Sequence, residues 1–303
     1  MIDIRCAFLK LLLSFAVILT MTANARAVDP PGKEVKEPED ASPTDELAKK
    51  RQEVILKAMQ KYEVVMDGNT EKRATLDKKA LLRWSNPTSD VADGLMSVYS
   101  SDPAERPAMI AHIYVHGSGQ AVQEFADVHP GQVELFRGPQ KVWSPASRYS
   151  KFEKLPGGPK PAENPALRLS QMKNMAARFE IIDGFHDKDS KPQPQVLRMM
   201  SRPTYRYGKP DGEIIDGALF TFVVATDPEA CLLIEIHRNG DATHWEYSLL
   251  PMTIYSLDAK LDAKPVWTKP EAMVFGDPTA PHYISSYRPD PGEPQFKSLL
   301  PKP

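Results

Sequence analysis

Two histidines and a carboxylate flank a tight turn in the second half of the chain. Leu232 to Arg238 and Asp241 to Leu250 are apolar-rich runs on either side of Asn239-Gly240, a two-residue signal for a type I′ hairpin turn. That turn sets Glu235 opposite His244, Leu233 opposite Glu246 and His237 opposite Ala242. Strand alternation sends Leu232, Ile234, Ile236, Trp245 and Tyr247 to one face and Glu235, His237, His244 and Glu246 to the other. Directly paired side chains have Cβ atoms about 5 Å apart and diagonal ones roughly 7 Å. Glu235, His237 and His244 could therefore meet at one divalent ion, a donor set suited to zinc or iron. The competing reading is a solvated hairpin face on which these residues only balance charge.

Other groups carry less. Arg83-Trp84 and Arg206-Tyr207 each place a guanidinium beside an aromatic ring, either a ligand shelf built on stacking and cation–π contact or an aromatic core anchor whose arginine ties down a turn. His112 and His116 have a spacing that chelates metal on a helix, but they alternate with apolar residues as in a strand. Four strand positions span about 13 Å, too far to share an ion. Ile113 to Gly119 resembles the strand and His-Gly oxyanion loop of the α/β-hydrolase family. No Gly-x-Ser-x-Gly nucleophile elbow accompanies it, so it reads as a Gly-Ser-Gly hairpin turn. Walker, dinucleotide-binding, His-Glu-x-x-His and EF-hand patterns are absent.

The compartment follows from the N-terminus. Arg5 and Lys10, the apolar run Leu11 to Met21 and Ala23-Asn24-Ala25-Arg26-Ala27 form a signal-peptide pattern over 1–27. The run is about half the length needed to cross a hydrocarbon core of roughly 30 Å. The expectation is a periplasmic or secreted protein with no membrane span after cleavage. Cleavage leaves 35 basic and 39 acidic residues, and a mildly acidic chain is a poor partner for nucleic acid. It also removes Cys6, leaving Cys231 in Ala-Cys-Leu-Leu-Ile as a buried thiol without a disulfide partner.

These side chains must be positioned by a proline-dense chain. Twenty-nine prolines in 303 residues are about twice the usual ~5%, which disfavours long helices and central parallel strands. Residues 28–44 read as a disordered tether, 151–165 as a Pro/Gly linker and 263–303 as a Pro-rich C-terminal tail. A helical pattern begins at Thr44 and Asp45 and extends toward Gly68; a second runs from Leu167 through Phe179. The halves share ordered blocks. Lys61-Tyr62-Glu63-Val64-Val65 matches Arg178-Phe179-Glu180-Ile181-Ile182, Arg83-Trp84 matches Arg206-Tyr207, Asp93-Gly94 matches Asp216-Gly217, and Ser101-Asp102-Pro103 matches Thr226-Asp227-Pro228, with His112 or His237 ten residues past the aspartate. These blocks predict an α+β fold of two similar repeats, 45–150 and 166–262, each a helix followed by an antiparallel β-meander, side by side or merged into one pseudo-symmetric sheet.

Leu82-Arg83-Trp84-Ser85-Asn86-Pro87, Gly158-Pro159-Lys160-Pro161-Ala162, Tyr205-Arg206-Tyr207 and Asp216-Gly217-Ala218-Leu219-Phe220, running to Thr226-Asp227-Pro228-Glu229, together resemble an uncharacterised family of exported proteins of planctomycete bacteria. The resemblance spans about 82–265 and implies a shared exported α+β scaffold, with no catalytic residues to transfer. The leading functional expectation is a non-catalytic module that binds a small molecule or an envelope protein at Arg83, Trp84, Arg206 and Tyr207. The alternative is an enzyme using a divalent metal on Glu235, His237 and His244; a purely structural protein is the third reading.

Overall fold

Each half of the chain opens with a helix that buries one face in a curved antiparallel sheet. The computed structural model describes residues 43–77, 79–102, 106–186, 191–240, 242–272 and 274–300. The expected signal peptide (1–27), the tether as far as residue 42, Pro103 and Asp241 lie outside that set. The first half comprises α1 (Pro43–Met59), β1 (Tyr62–Met66), β2 (Asn69–Leu76), β3 (Leu82–Asn86), β4 (Val91–Ser100), β5 (Met109–His116), β6 (Ala121–Asp127), β7 (Val133–Arg137) and β8 (Gln140–Trp143). Then come β9 (Glu153–Lys154), α2 (Pro165–Ala176), β10 (Phe179–Asp183), β11 (Gln195–Val196), β12 (Arg198–Met199), β13 (Tyr205–Tyr207), β14 (Ile214–Val224), β15 (Asp227–Asn239), β16 (Ala242–Pro251), β17 (Leu257–Leu261), β18 (Lys264–Lys269) and β19 (Tyr283–Tyr287).

The class differs from the α+β expectation: among the described residues strands hold 48% and helices 13%, and the sheet is barrel-like and nearly closed. The strands do not run as meanders either. The first sheet has the order β19-β6-β5-β4-β2-β1-β7-β8, with β3 beside β4. The second half follows the same order, β16-β15-β14-β12 and β11-β10-β17-β18, with Leu197 N–H bonded to Ile181 O where Gln195 to Met199 passes from one set to the other. In both, the strand after the helix pairs with the last hairpin, as Val64 with Leu135 and Ile181 with Ala259. That long-range pairing curls the sheet around its helix.

It also explains why the helices are shorter than their apolar pattern predicts. Tyr62 to Val65 and Phe179 to Ile182, read as helix ends, are strands. Their β-branched residues fit a pleated surface and they gain a full ladder on β7 or β17. α2 starts where local chemistry dictates. Asn164 Oδ1 accepts from Ala166 N (2.8 Å) and Leu167 N (3.4 Å), and Pro165 fills the first turn, where its missing N–H is no loss. The segment 263–303 is not a tail, since it supplies β18 and β19, and 151–165 contributes β9 and docks on Trp245, whose Nε1 donates to Pro159 O. The described residues fall in one compact unit.

Alternation along the central strands produces three cores. Leu95, Tyr99, Met109, Ala111, Ile113 and Phe125 face α1, whose Ile55, Ala58 and Met59 are buried against them. Phe220, Phe222, Leu232, Ile234, Ile236 and Trp245 likewise enclose Met172, Met175 and Ala176 of α2. The opposite faces, Met96, Val98, Ile110 and Ala126 from one half and Leu219, Cys231, Leu233 and Leu250 from the other, pack on each other. Strands β4 to β6 and β14 to β16 are thus covered on both faces. Cys231 is fully buried, and burial pushes its thiol up to about 12, as expected of a structural cysteine.

A charged lock fastens each helix. Asp93, fully buried, accepts from Arg51 Nε of α1 (3.3 Å) and from Arg83 Nε of β3 (3.1 Å). Asp216 accepts from Arg168 Nε of α2 (2.7 Å) and from Arg206 Nε and Nη2 (2.9 and 2.7 Å). The neighbouring glycines accept an aromatic ring: a Cβ on Gly94 would lie 2.3 Å from Trp84 Nε1 and one on Gly217 2.5 Å from Tyr207 Cε2. Removing one partner of a buried ionic group strands the others at a cost of about 3–5 kcal/mol, worth roughly 2–4 °C per kcal/mol at this size. Asp216→Ala is therefore expected to lower the melting temperature by roughly 6–20 °C in calorimetry. A change under about 2 °C would show that the lock does not carry the helix.

Candidate functional site

The arginine-aromatic pairs are engaged within the fold. Arg83 and Arg206 grip Asp93 and Asp216, Trp84 Nε1 donates to His112 Nε2 (2.8 Å), and Tyr207 Oη donates to Glu235 Oε1 (2.6 Å). Arg206 and Tyr207 border an open groove with Arg168 and Asp216.

The hairpin register is shifted from the expected one. Asn239 pairs with Ala242, so His237 stands opposite His244 and Glu235 opposite Glu246. The turn is not Asn239-Gly240, because Asn239 remains in the ladder and Gly240 takes the positive φ (58°). Glu235, His237, His244 and Glu246 do share a face: His237 Nε2 is 2.7 Å from Glu235 Oε2, and His244 Nε2 is 2.7 Å from Glu246 Oε1. The cation among them is Arg106, whose Nε donates to Glu235 Oε1 (2.7 Å) and whose Nη2 donates to Oε2, with the guanidinium stacked 3.9 Å over the Phe152 ring. Burial alone would push the Glu235 carboxyl up, but Arg106, His237 and Tyr207 outweigh it and hold it below the ordinary range. Among the described residues no group of three or more His, Cys, Asp or Glu has an arrangement that could hold a metal ion.

The corresponding place on the other side of the interface is built differently. There, β5, β6, the end of β10, the start of β15 and residues 252–255 enclose a chamber of about 260 Å³. Its walls carry Glu124, Asp183, Asp227 and Glu229, with His112, Tyr114, Phe185, Thr253 and Tyr255. Four buried atoms around it lack a hydrogen-bond partner: His112 Nδ1, Glu124 Oε2, Asp183 Oδ1 and His282 Nε2. Both histidine nitrogens approach Glu124 Oε2 at 3.6 and 3.7 Å, too far to satisfy it. Because Trp84 donates to His112 Nε2, a neutral His112 carries its proton on Nδ1 and offers a donor, not a metal lone pair.

Carboxyls crowded together in a partly desolvated cleft suppress one another's ionisation. Burial, then Glu124 and Asp183, push Asp227 up to about 8. Burial, then Asp227 and Asp183, push Glu229 well above the carboxylate range. Burial lifts Asp183 to about 6 against the opposing effects of Glu229 and Lys269. Lys269, fully buried, donates to the carbonyls of Thr253, Ile254 and Tyr255 at 2.7–2.8 Å, pinning the loop that closes the chamber, and desolvation lowers it to about 8. His282 is lowered to about 4 by burial. A larger hollow of about 740 Å³ lies near Arg106, but its cations are paired: Lys72 with Asp67, Arg73 with Glu63, Arg106 with Glu235.

Sequence reasoning missed this chamber. Asp183 and Asp227 read as turn punctuation, and Lys269 and His282 fell in the presumed tail. Glu124 was the one legible signal, an acid at an inward-facing strand position. No family model matches the chain, and no curated protein or solved structure is significantly similar to it. No helix among the described residues is long and apolar enough to cross a membrane.

The acid cluster makes stability pH-dependent. Native Asp227 keeps its proton to about pH 8, whereas an ordinary aspartate loses it near 3.8, so the native state binds more protons between those values and loses stability as pH rises. His282 opposes this only below about pH 6.5 and Lys269 only above about pH 8. The melting temperature should fall from pH 6.5 to 8, and Asp227→Asn should flatten the slope in a thermal-shift series. A wild-type curve that rises over this window contradicts the assignment.

Proposed function

We propose that this is an exported, non-catalytic protein that binds a small polar molecule in the acid-lined chamber between its two halves. The observation that carries this reading is a cavity walled by buried, unpartnered polar atoms, Glu124 Oε2, Asp183 Oδ1 and His112 Nδ1. Leaving such atoms unsatisfied costs about 1–3 kcal/mol each, and a ligand that bonds them recovers that penalty. At about 260 Å³ the chamber lies below the usual range for drug-sized ligands, so its occupant is small. The matching strand orders and the two Arg–Asp–Arg locks support a reading of the halves as copies of one barrel-like unit. A divalent-metal enzyme on Glu235, His237 and His244 is less favoured, because Arg106 already balances that carboxylate.

Ser89 lines the chamber and is exposed, so Ser89→Trp obstructs the space while leaving the core intact. Ligand-observed NMR with a library of small amines, alcohols and carboxylic acids is expected to detect binders whose signals disappear with Ser89→Trp. Binding that survives this substitution, or no binder at millimolar concentration, overturns the reading.

A further inference from the structure

The two halves carry opposite charge at one corresponding position. By register, Gly94 pairs with Tyr114 and Gly217 with Glu235, and Val91 pairs with His116 as Ile214 does with His237. Glu235 and His237 therefore stand where Tyr114 and His116 stand in the other half. The residue three positions before the outgoing strand meets Tyr99 or Phe222 is Arg106 in one half and Asp227 in the other, since Tyr99 pairs with Met109 and Phe222 with Ala230. On one side this position reaches across the interface as a guanidinium and lands on a buried carboxylate, stacked on Phe152. On the other it is a carboxyl facing Tyr114 and Glu124, with Glu229 and Asp183 beside it.

We infer that the chamber binds a small molecule with a guanidinium head, held by the carboxyls of Asp227, Glu229 and Asp183 with the same guanidinium–carboxylate chemistry by which Arg106 is held on Glu235. The inference rests on the chamber being the binding site and names its ligand class. Four carboxyls line the chamber, and the buried Lys269 beside it spends its three hydrogens on carbonyls 253–255, so the cavity wall is rich in carboxyls and has no cationic side chain of its own among the described residues. A planar guanidinium offers five donors in a fork that matches paired carboxylates. Tyr255 and Phe185, edge to face at 5.1 Å, supply aromatic surface at the same wall. His112 Nδ1 and the near-neutral His282 leave Glu124 as a further acceptor rather than a metal ligand.

Binding then has a proton signature. The groups facing the bound cation are Tyr114 and His116 from β5, Glu124 from β6, Asp183 from β10, Asp227 and Glu229 from β15, Tyr255 from the closing loop and Lys269 from β18, with Glu271 and His282 behind them. A cation placed among them ionises a carboxyl that held its proton in the empty chamber. The carboxyl O–H bond breaks, its electron pair remains on oxygen and the proton passes to buffer.

Isothermal titration of the full-length mature protein with methylguanidinium and its neutral isostere N-methylurea, at pH 7 in two buffers of different ionisation enthalpy, tests this. Methylguanidinium is expected to bind with Kd between roughly 10 μM and 10 mM, set by its few heavy atoms, releasing about one proton. N-methylurea should bind at least tenfold more weakly, and Asp227→Asn should cost at least tenfold while the protein stays folded by circular dichroism. Equal binding of N-methylurea, or stoichiometric zinc or calcium that excludes methylguanidinium, overturns the guanidinium assignment. If Ser89→Trp-sensitive binding of another compound persists while methylguanidinium fails, the ligand class falls and the chamber reading stands. If nothing binds, both fall.

Discussion

Two curved sheets press their outer faces together, and the chemistry of this protein follows from that burial. Strands β4 to β6 and β14 to β16 already have one face on a helix, so the second contact removes both faces from water. Apolar residues such as Val98, Ile110, Leu233 and Leu250 gain by this at roughly 25 cal/mol per Å². A polar side chain on the same faces must find a partner or remain desolvated. Glu235 finds Arg106, Tyr207 and His237 and is held ionised. Glu124, Asp183, Asp227 and Glu229 find mainly one another, and Asp227 and Glu229 are held protonated.

The interface is thus asymmetric in charge although it is similar in backbone. The same strand order, the same helix lock and the same aromatic-on-glycine contact recur in both halves, while the reaching position is arginine in one and aspartate in the other. One site pairs a carboxylate with a guanidinium from within the chain. The other gathers carboxyls at a place where Lys269 fixes the closing loop and gives its hydrogens to the carbonyls of 253–255. Raised carboxyls in a cleft are a common mark of functional sites. Here the orphaned atoms of Glu124 and Asp183 give that mark a geometric basis independent of titration.

Much of the local structure was legible in the sequence. Strand alternation sorted the β15 and β16 side chains onto their faces, Cys231 was placed in the core, and the helical spacing after Asn164 marked α2. What could not be read were consequences of pairing between distant segments. Tyr62 to Met66 and Phe179 to Asp183 have helical neighbours and an apolar pattern consistent with helix, and only β7 and β17, some 70 residues onward, make them strands. The hairpin register missed by one residue on each arm because Gly240, rather than Asn239, carries the left-handed turn conformation. The chamber gathers Glu124, Asp183, Asp227, Glu229 and Lys269 from four strands and both halves, so no local motif announces it. Proline density misrepresented the C-terminal segment, which supplies two strands.

The central claim is that the inter-sheet carboxyls hold protons that a bound cation displaces. Carbon-detected NMR of the aspartate Cγ and glutamate Cδ resonances, followed against pH with and without saturating methylguanidinium, reads this at the atoms concerned. The account predicts that in the free protein Asp227 titrates near 8 and Glu229 stays protonated through neutrality, and that the cation lowers the midpoint of at least one of them by more than one pH unit, about a tenfold coupling. Free-protein midpoints near 4 for both residues, unmoved by the cation, would contradict it.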